Sequence, residues 1–195
     1  MKIVAYIDGV NLHKGILLQL GWKLDYRRFR AHLRHHYGVE CAYLFHGYVP
    51  EYRSMYRDLT NWGYRLVFRS TSRGANGKIK GNCDTDLAVH AIAGCCENRY
   101  DKAFLISADG DLTSVTSFLA SRGKLQGIIA PSRKSCSRLY RRSGIRPVLL
   151  ENLRGELEYI RPPGLADSLA TIDRDLESDF LSLAQRYLSK EAHQS

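Results

Sequence analysis

Short apolar runs alternate with amphipathic segments along the first 150 residues. The apolar runs predict strands over residues 2–8, 40–47, 64–70, 102–108, 125–131 and 146–151. Apolar side chains at three- and four-residue spacing predict helices over residues 25–38, 51–63, 84–96 and 111–123. Because strands that alternate with helices form right-handed crossovers, the pattern predicts a three-layer α/β fold with a mostly parallel sheet of five or six strands.

The segments outside this alternation differ in composition. Residues 70–83 are rich in Gly, Ser, Asn and basic residues, which predicts a mobile surface loop. Residues 131–142 are polar and basic and are expected to begin as a loop and continue as a helix. After the sequence RPPG, residues 165–188 read as a helix. We therefore expect a domain over residues 1–150 and an acidic, mainly helical extension over residues 151–195.

Length and composition are those of one soluble globular domain. The chain has 195 residues, of which 44% are hydrophobic. The first apolar run ends at Asp8-Gly9, which is too early for a signal peptide or a membrane span. The five cysteines form no CxxC pair, so reduced and mostly buried thiols are expected. These features favour an intracellular, cytoplasmic protein that does not bind a membrane.

Charge is distributed unevenly between the two predicted parts. Residues 151–195 contain five basic and nine acidic residues, which leaves 24 basic and 11 acidic residues and a net charge of +13 for residues 1–150. A strongly basic body favours a polyanionic partner, of which nucleic acid is the commonest. The acidic extension is a candidate surface for a protein partner or for a second copy of the chain.

Five of the 11 acidic residues of the basic body follow predicted strands or open the helix predicted over residues 84–96. Asp8 ends the first strand, Asp109 and Asp111 follow the fourth, and Asp84 and Asp86 open the helix after the glycine-rich stretch. Sites in open parallel sheets form outside the carboxyl ends of the strands. If the first and fourth strands are neighbours, these carboxylates converge on one small area.

Clustered carboxylates raise one another's pKa unless a cation compensates the charge. Oxygen ligands without His or Cys favour Mg²⁺ or Mn²⁺, and such a metal within a basic surface suits hydrolysis of a nucleic-acid backbone. Each aspartate also has a simpler interpretation as a turn or helix-start residue. For Asp111 that role is to cap the next helix, whereas the sequence indicates no structural role for Asp109.

Four segments share motifs with a known family: YIDGVNL (6–12), KGNCDTDLAVHA (80–91), DKAFLISADGDLTSVTSFLASRGK (101–124) and IIAPSRKSCSRL (128–139). Together they resemble the NYN domain family of LabA-like, PIN-like ribonucleases. They occur in the order and at the spacing of the family and cover most of residues 1–150. The resemblance implies a Rossmann-like PIN fold and metal-dependent RNA cleavage.

The resemblance also implies roles for individual residues. Asp8, Asp84, Asp109 and Asp111 are expected to bind the metal. Asn11 is expected to orient Asp8 or to bind the scissile phosphate. Asp86 stands where many relatives have Glu, and with Asp111 it is a candidate to orient or deprotonate the attacking water.

Basic side chains near these acids are candidates for RNA binding. Lys80 lies next to the Asp84 segment, and further candidates that would extend a track for the RNA backbone are Arg73, Lys78, Arg133, Lys134 and Arg138. Tyr48 and Tyr52 are candidates for base stacking, although packing is the simpler role for both.

One histidine cluster stands apart from the acids. His32, His35 and His36 have the i, i+3 and i+4 spacing that can hold zinc on a helix. The sequence indicates no fourth ligand, and Arg30 and Arg34 lie close by in the chain. A packing or surface role is therefore the simpler expectation.

Two classes of function remain open from the sequence. The first is a divalent-metal-dependent ribonuclease, and the second is a non-catalytic RNA-binding or regulatory module that retains the fold. Toprim and HAD-type phosphotransferases are disfavoured because DGVN (8–11) lacks the Glu of the former and the DxDx motif of the latter.

Overall fold

A computed structural model of the chain describes residues 1–69, 83–142 and 144–160 in full, and the backbone of residues 72–73 and 79–80. The strands of this part are β1 (Ile3–Asp8), β2 (Val39–Gly47), β3 (Tyr64–Arg69), β4 (Ser72–Arg73), β5 (Ile79–Lys80), β6 (Lys102–Ile106), β7 (Leu125–Ala130) and β8 (Val148–Leu149). Its α-helices are α1 (Gly9–His13), α2 (Tyr26–Tyr37), α3 (Arg53–Asn61), α4 (Asp84–Cys96), α5 (Thr113–Ser121), α6 (Arg138–Arg142) and α7 (Arg154–Leu157).

Six strands form one parallel sheet in the order β3-β2-β1-β6-β7-β8. Every neighbouring pair runs in the same direction. The chain fills one half of the sheet from β1 to β3 and then crosses to β6 and fills the other half. This confirms the predicted α/β class. The first and fourth predicted strands, β1 and β6, are paired, which is the condition for the carboxylates to converge.

Helices cover both faces of the sheet. Residues Ile3, Ala5 and Ile7 of β1 face a buried cluster that also contains side chains of α2 and α3. Val4 and Tyr6 face the opposite cluster, which contains side chains of α4 and α5. Since the central strands are buried on both faces, their sequences are continuously apolar instead of alternating.

The ends of α2 lie where the sequence predicts them. The Asp25 side chain accepts a hydrogen bond from the Arg28 backbone N–H at 2.9 Å, which satisfies one free donor of the first turn. Gly38 ends the helix with φ of 66°, a left-handed conformation that glycine adopts without steric cost.

Two local features differ from the predicted pattern. The chain enters α1 directly after β1 and continues into a π-helical segment, Lys14–Gln19, where the sequence indicates only a turn. Within residues 70–83, predicted to be irregular, β4 and β5 form a short antiparallel pair. The predicted loop and helix over residues 131–142 are confirmed, since α6 begins at Arg138.

The described segment after β8 packs onto the fold. Leu150 and Leu157 are buried in the same cluster as α2. The Asp25 backbone N–H donates to the Leu157 carbonyl at 2.8 Å, and Leu24 pairs with Glu158 in an isolated bridge. The helix predicted over residues 165–188 lies outside the described residues, so the division at residue 150 stays a prediction.

Most cysteines are buried thiols, as the sequence predicts. Cys41, Cys83, Cys95 and Cys136 are buried and Cys96 is exposed, and all are free thiols. No helix in the described part of the chain is long and apolar enough to cross a lipid bilayer.

Candidate active site

The candidate site lies where the strand order of the sheet reverses. β1 and β6 are adjacent, with Ile7 beside Ile106, but their following connections run to opposite sides of the sheet. In open parallel sheets this reversal leaves a crevice at the carboxyl ends of the two strands. Asp8 is the last residue of β1 and Asp109 follows β6, so both lie at this crevice.

Asp8 is the most buried carboxylate of the set, with 5% of its surface exposed. Its Oδ1 accepts a hydrogen bond from the Asn11 backbone N–H at 3.0 Å, and its Oδ2 accepts one from Ser107 Oγ at 3.3 Å. The pKa of Asp8 is raised to about 7, chiefly by burial and to a smaller extent by the charges of Asp84 and Asp109, against the opposing effect of the hydrogen bonds from Asn11 and Ser107. A cation at this position would favour the charged carboxylate.

Asn11 and Ser107 connect the loops that follow β1 and β6. The Asn11 side-chain oxygen accepts a hydrogen bond from the Ala108 backbone N–H at 2.8 Å. Ser107 Oγ accepts one from the Asp109 backbone N–H at 3.1 Å while it donates to Asp8. These contacts hold the two acid-bearing loops in one arrangement.

In the turn after β6, Asp109 and Asp111 have structural roles that differ from the sequence-based expectation. Asp109 is the residue that caps the following 3₁₀ turn, because its Oδ1 accepts a hydrogen bond from the Asp111 backbone N–H at 2.9 Å. The expectation that Asp111 caps this helix and that Asp109 has no structural role is therefore wrong. Asp111 is exposed in the first turn and accepts no cap hydrogen bond of this kind.

The segment after β7 forms hydrogen bonds with the same turn. The Tyr140 hydroxyl donates a hydrogen bond to the Asp109 carbonyl, and the Ser137 backbone N–H donates to the Ala108 carbonyl at 3.0 Å. A Cβ at Gly110 would lie 2.6 Å from Ser137 Oγ, so only glycine allows this close approach without a shift. Burial and the Asp109 charge raise the pKa of Tyr140, which keeps its hydroxyl protonated as a donor.

Asp84 and Asp86 lie in the first turn of α4, as predicted. Asp84 contributes to the raised pKa of Asp8, which places its charge near the crevice. Burial raises the pKa of the adjacent Cys83 to about 12, and Asp8, Asp84 and Asp86 add to that increase. Asp86 lies further out, where Arg69 Nε is 3.7 Å from its Oδ2.

The aspartates form an open arrangement. In the described part of the chain, the side chains that bring three ligand atoms within 4.8 Å of one another are His32, His36 and Glu156, and the aspartates do not meet this distance. Repulsion between like charges opposes closer approach of carboxylates that share a site. Asp84 and Asp109 are therefore near enough to affect the ionisation of Asp8 without forming a closed ligand cage with it.

The predicted RNA-binding residues fall into two groups. Arg133, Lys134 and Arg138 are exposed on the segment after β7, whose carboxyl end lies at the same edge as the acids. The side chains of Arg73 and Lys80 and the whole of Lys78 lie outside the described residues.

Aromatic residues at the carboxyl ends of β2 and β3 form a cluster. Two of its members, Tyr48 and Tyr52, are identified from the sequence. Tyr52 is buried, and Tyr48 stacks on Tyr56 with ring centroids 5.8 Å apart, so both have the packing role that was the simpler expectation. Phe68 also packs on Tyr48 and Tyr56 but keeps 40% of its surface exposed. It precedes Arg69, the partner of Asp86, and lies at the edge that carries the acids.

Three residues at this edge of the sheet were not identified from the sequence. Ser107 and Tyr140 form hydrogen bonds with the acid-bearing loops, and Phe68 lies at the same edge, but each position depends on packing between distant segments. One local signal was available for Ser107, because a hydroxyl directly after the buried strand β6 and two residues before Asp109 lies at the same sheet edge. Tyr140 and Phe68 have no comparable local signal.

The fold and the acids at its strand reversal define a PIN-like α/β domain. The chain belongs to the NYN domain family, whose sequence model matches residues 2–143. NYN domains are generally nucleases, and PIN-like nucleases typically use divalent metals.

A solved structure has the same fold. It is the crystal structure of VPA0982, a protein of unknown function from Vibrio parahaemolyticus, with a TM-score of 0.61 and 17% sequence identity. The similarity covers 76% of this chain and 91% of that chain. At this identity the comparison shows the shared fold alone. No curated protein matches the chain significantly.

Proposed function

We propose that the protein is a divalent-metal-dependent ribonuclease that hydrolyses RNA phosphodiester bonds at its aspartates. The observation that carries this proposal is the position of Asp8. It is buried at the strand reversal, near the charges of Asp84 and Asp109, and its pKa is raised to about 7. Keeping a carboxylate there is costly for the metal-free protein, and a bound cation would offset that cost.

The donor set fits Mg²⁺ or Mn²⁺. Asp8, Asp84 and Asp109 would hold the ion with Asp111, and hard carboxylate oxygens are the ligands that these ions prefer. When bound, the metal would supply a water of lowered pKa and would neutralise charge on the phosphate.

The chain's own residues orient the reacting groups. Asn11 uses its side-chain oxygen for Ala108, which leaves the NH₂ group of the same amide to donate to the scissile phosphate. Asp111, exposed beside Asp109, orients or deprotonates the attacking water. Asp86 has a smaller part in this step, because its carboxylate faces Arg69.

RNA binding would use the basic surface around the acids. Arg133, Lys134 and Arg138 contact the phosphates from the β7 side, together with Arg73, Lys78 and Lys80 from the segment before α4. The net charge of +13 over residues 1–150 supports this electrostatic attraction. On the other side of the crevice, the exposed face of Phe68 stacks an unpaired base.

Metal-dependent cleavage by the purified protein is the test. Single-stranded and hairpin RNAs are incubated with protein in Mg²⁺, Mn²⁺ or EDTA. Asp109→Asn is expected to slow cleavage by more than about 100-fold, with RNA binding unchanged or tighter because a negative charge is removed. Asp101→Asn is the matched control, since Asp101 is an exposed aspartate directly before the opposite end of β6.

The outcomes separate the two classes of function. Unchanged cleavage by Asp109→Asn contradicts the proposed mechanism. RNA binding without metal-dependent cleavage on any of the RNAs would instead support the alternative, a non-catalytic RNA-binding or regulatory module.

A further inference from the structure

His32, His36 and Glu156 form a group that is separate from the aspartates. Each offers one ligand atom, and these atoms lie within 4.8 Å of one another. The two histidines are one turn apart on α2, and Glu156 comes from α7, which packs against α2. We infer that this group is a zinc site in which His32, His36 and Glu156 are the ligands and water completes the coordination.

The donor set is one that zinc uses. Two histidines at i and i+4 on a helix with a carboxylate from another segment provide three protein ligands and leave one position open to solvent. The i, i+4 spacing places both rings on one face, and here the rings stack with centroids 4.2 Å apart. His36 and Glu156 are exposed, so both can rotate to close on an ion.

The distance between His32 and Glu156 matches the spacing of two ligands on one zinc ion. His32 Nδ1 is 3.3 Å from Glu156 Oε2. A charge-assisted hydrogen bond would be shorter, at about 2.7–2.9 Å. With zinc bonds of about 2.0–2.1 Å, two ligands of a tetrahedron are about 3.3–3.4 Å apart.

The position of the His32 ring is fixed by burial and packing. Only 8% of its side chain is exposed, and its ring packs edge-to-face on Tyr37 with centroids 5.6 Å apart. Its Nδ1 is the ring nitrogen that faces Glu156 and would bind the ion.

Arg30 and Arg34, whose positive charges made a cation site less expected from the sequence, have other surroundings in the structure. Arg30 donates to the backbone carbonyls of Gly63, Val39 and Glu40. Arg34 and His35 line a separate cavity of about 530 Å³ with Trp62. The third ligand is therefore Glu156 and not His35, whereas the sequence alone favoured a packing or surface role for all three histidines.

Zinc at this position would connect α7 to α2. Glu156 is within the described segment that follows β8, and its neighbour Leu157 is buried against the core. Because the ion would bind the folded chain and not the unfolded one, it would raise the unfolding temperature.

Zinc binding is measured on untagged full-length protein that has been treated with chelator and dialysed. Titration calorimetry in excess Mg²⁺, which occupies carboxylate-only sites, is expected to show one zinc per chain. His36→Gln and Glu156→Gln change exposed ligands and should each weaken zinc binding by about tenfold or more. His35→Gln is the matched control on the same helix and should leave the affinity unchanged.

Cobalt provides a second readout that does not depend on RNA cleavage. Co²⁺ in a four-coordinate site with two histidines absorbs visible light strongly, whereas Co²⁺ bound to carboxylates and water in octahedral geometry absorbs weakly. The strong band is expected in the parent protein and in Asp109→Asn, and not in His36→Gln. No zinc uptake in excess Mg²⁺, or equal affinity in His36→Gln, would overturn the proposal and leave an ion pair only.

Discussion

The side-chain oxygen of Asn11 accepts a hydrogen bond from the backbone N–H of Ala108, 97 residues later, at 2.8 Å. Asn11 lies in α1, one turn after Asp8, and Ala108 precedes Asp109. Together with the Ser107 contacts, this amide holds Asp8 and Asp109 in one arrangement, which explains how an open set of carboxylates keeps one geometry.

Replacing Asn11 should affect both stability and cleavage. Asn11→Ala leaves the Ala108 N–H without its acceptor, and a buried unsatisfied donor costs about 1–3 kcal/mol of unfolding free energy. Since the acid-bearing loops lose their connection, cleavage should also slow by about 10–100-fold. Urea unfolding and initial cleavage rates measure the two effects. Asn61→Ala, at the exposed end of α3, is the control, and equal rates for both variants would contradict the role of Asn11.

The pKa of Asp8 predicts a pH-dependent stability of the metal-free protein. Its folded value of about 7 lies above the ordinary value of 3.8, so the folded chain binds this proton more tightly than the unfolded chain. The stabilisation is fully present below about pH 4 and is lost as the pH rises through 7, with a slope of at most about 1.4 kcal/mol per pH unit.

Urea unfolding in EDTA over this pH range measures the slope. Asp8→Asn should remove it, because the amide does not titrate. Added Mn²⁺ should stabilise the parent protein increasingly as the pH rises from about 5.5 to about 7.5, because the ion binds the deprotonated carboxylate. This range covers about two pH units around the folded pKa of Asp8. Identical slopes in the parent and in Asp8→Asn would show that another group is responsible.

Asp84 and Asp86 should differ in their effect on cleavage. Asp84 affects the ionisation of Asp8, whereas Asp86 faces Arg69 at 3.7 Å. Asp84→Asn is therefore expected to reduce kcat/KM by more than about tenfold and Asp86→Asn by less. The Asp86 pair is half-exposed, so its loss should change the unfolding free energy by less than about 1 kcal/mol. Equal losses of kcat/KM would place both residues at the metal.

Arg138 should contribute to RNA affinity through charge. Arg138→Gln is expected to weaken binding across RNA sequences and to reduce the slope of log K against log salt concentration by about one. Fluorescence anisotropy at several salt concentrations measures this slope. Arg122→Gln is the control, because Arg122 follows α5 at the opposite edge of the sheet. A slope unchanged by Arg138→Gln would remove this residue from the RNA contact.

The sequence predicts the fold well because its information is local. Apolar runs and amphipathic spacing define the strands and helices, and the carboxyl ends of parallel strands must share an edge, which brings Asp8 and Asp109 together. The sequence does not predict which of Asp109 and Asp111 caps the turn, since this depends on the conformation of three residues. Contacts such as Ser107 with Asp8, or Glu156 with His32, depend on packing between segments about 100 residues apart or more.

Tyr140 and Arg138 belong to the same five-residue helix, α6. The hydroxyl of Tyr140 holds the carbonyl of Asp109, while Arg138 faces solvent at the start of that helix. Under the proposed function, RNA phosphate bound at Arg138 would contact the same short helix that holds the Asp109 carbonyl. Sequence changes in α6 would then alter RNA binding and the position of Asp109 together, without changing any acidic residue.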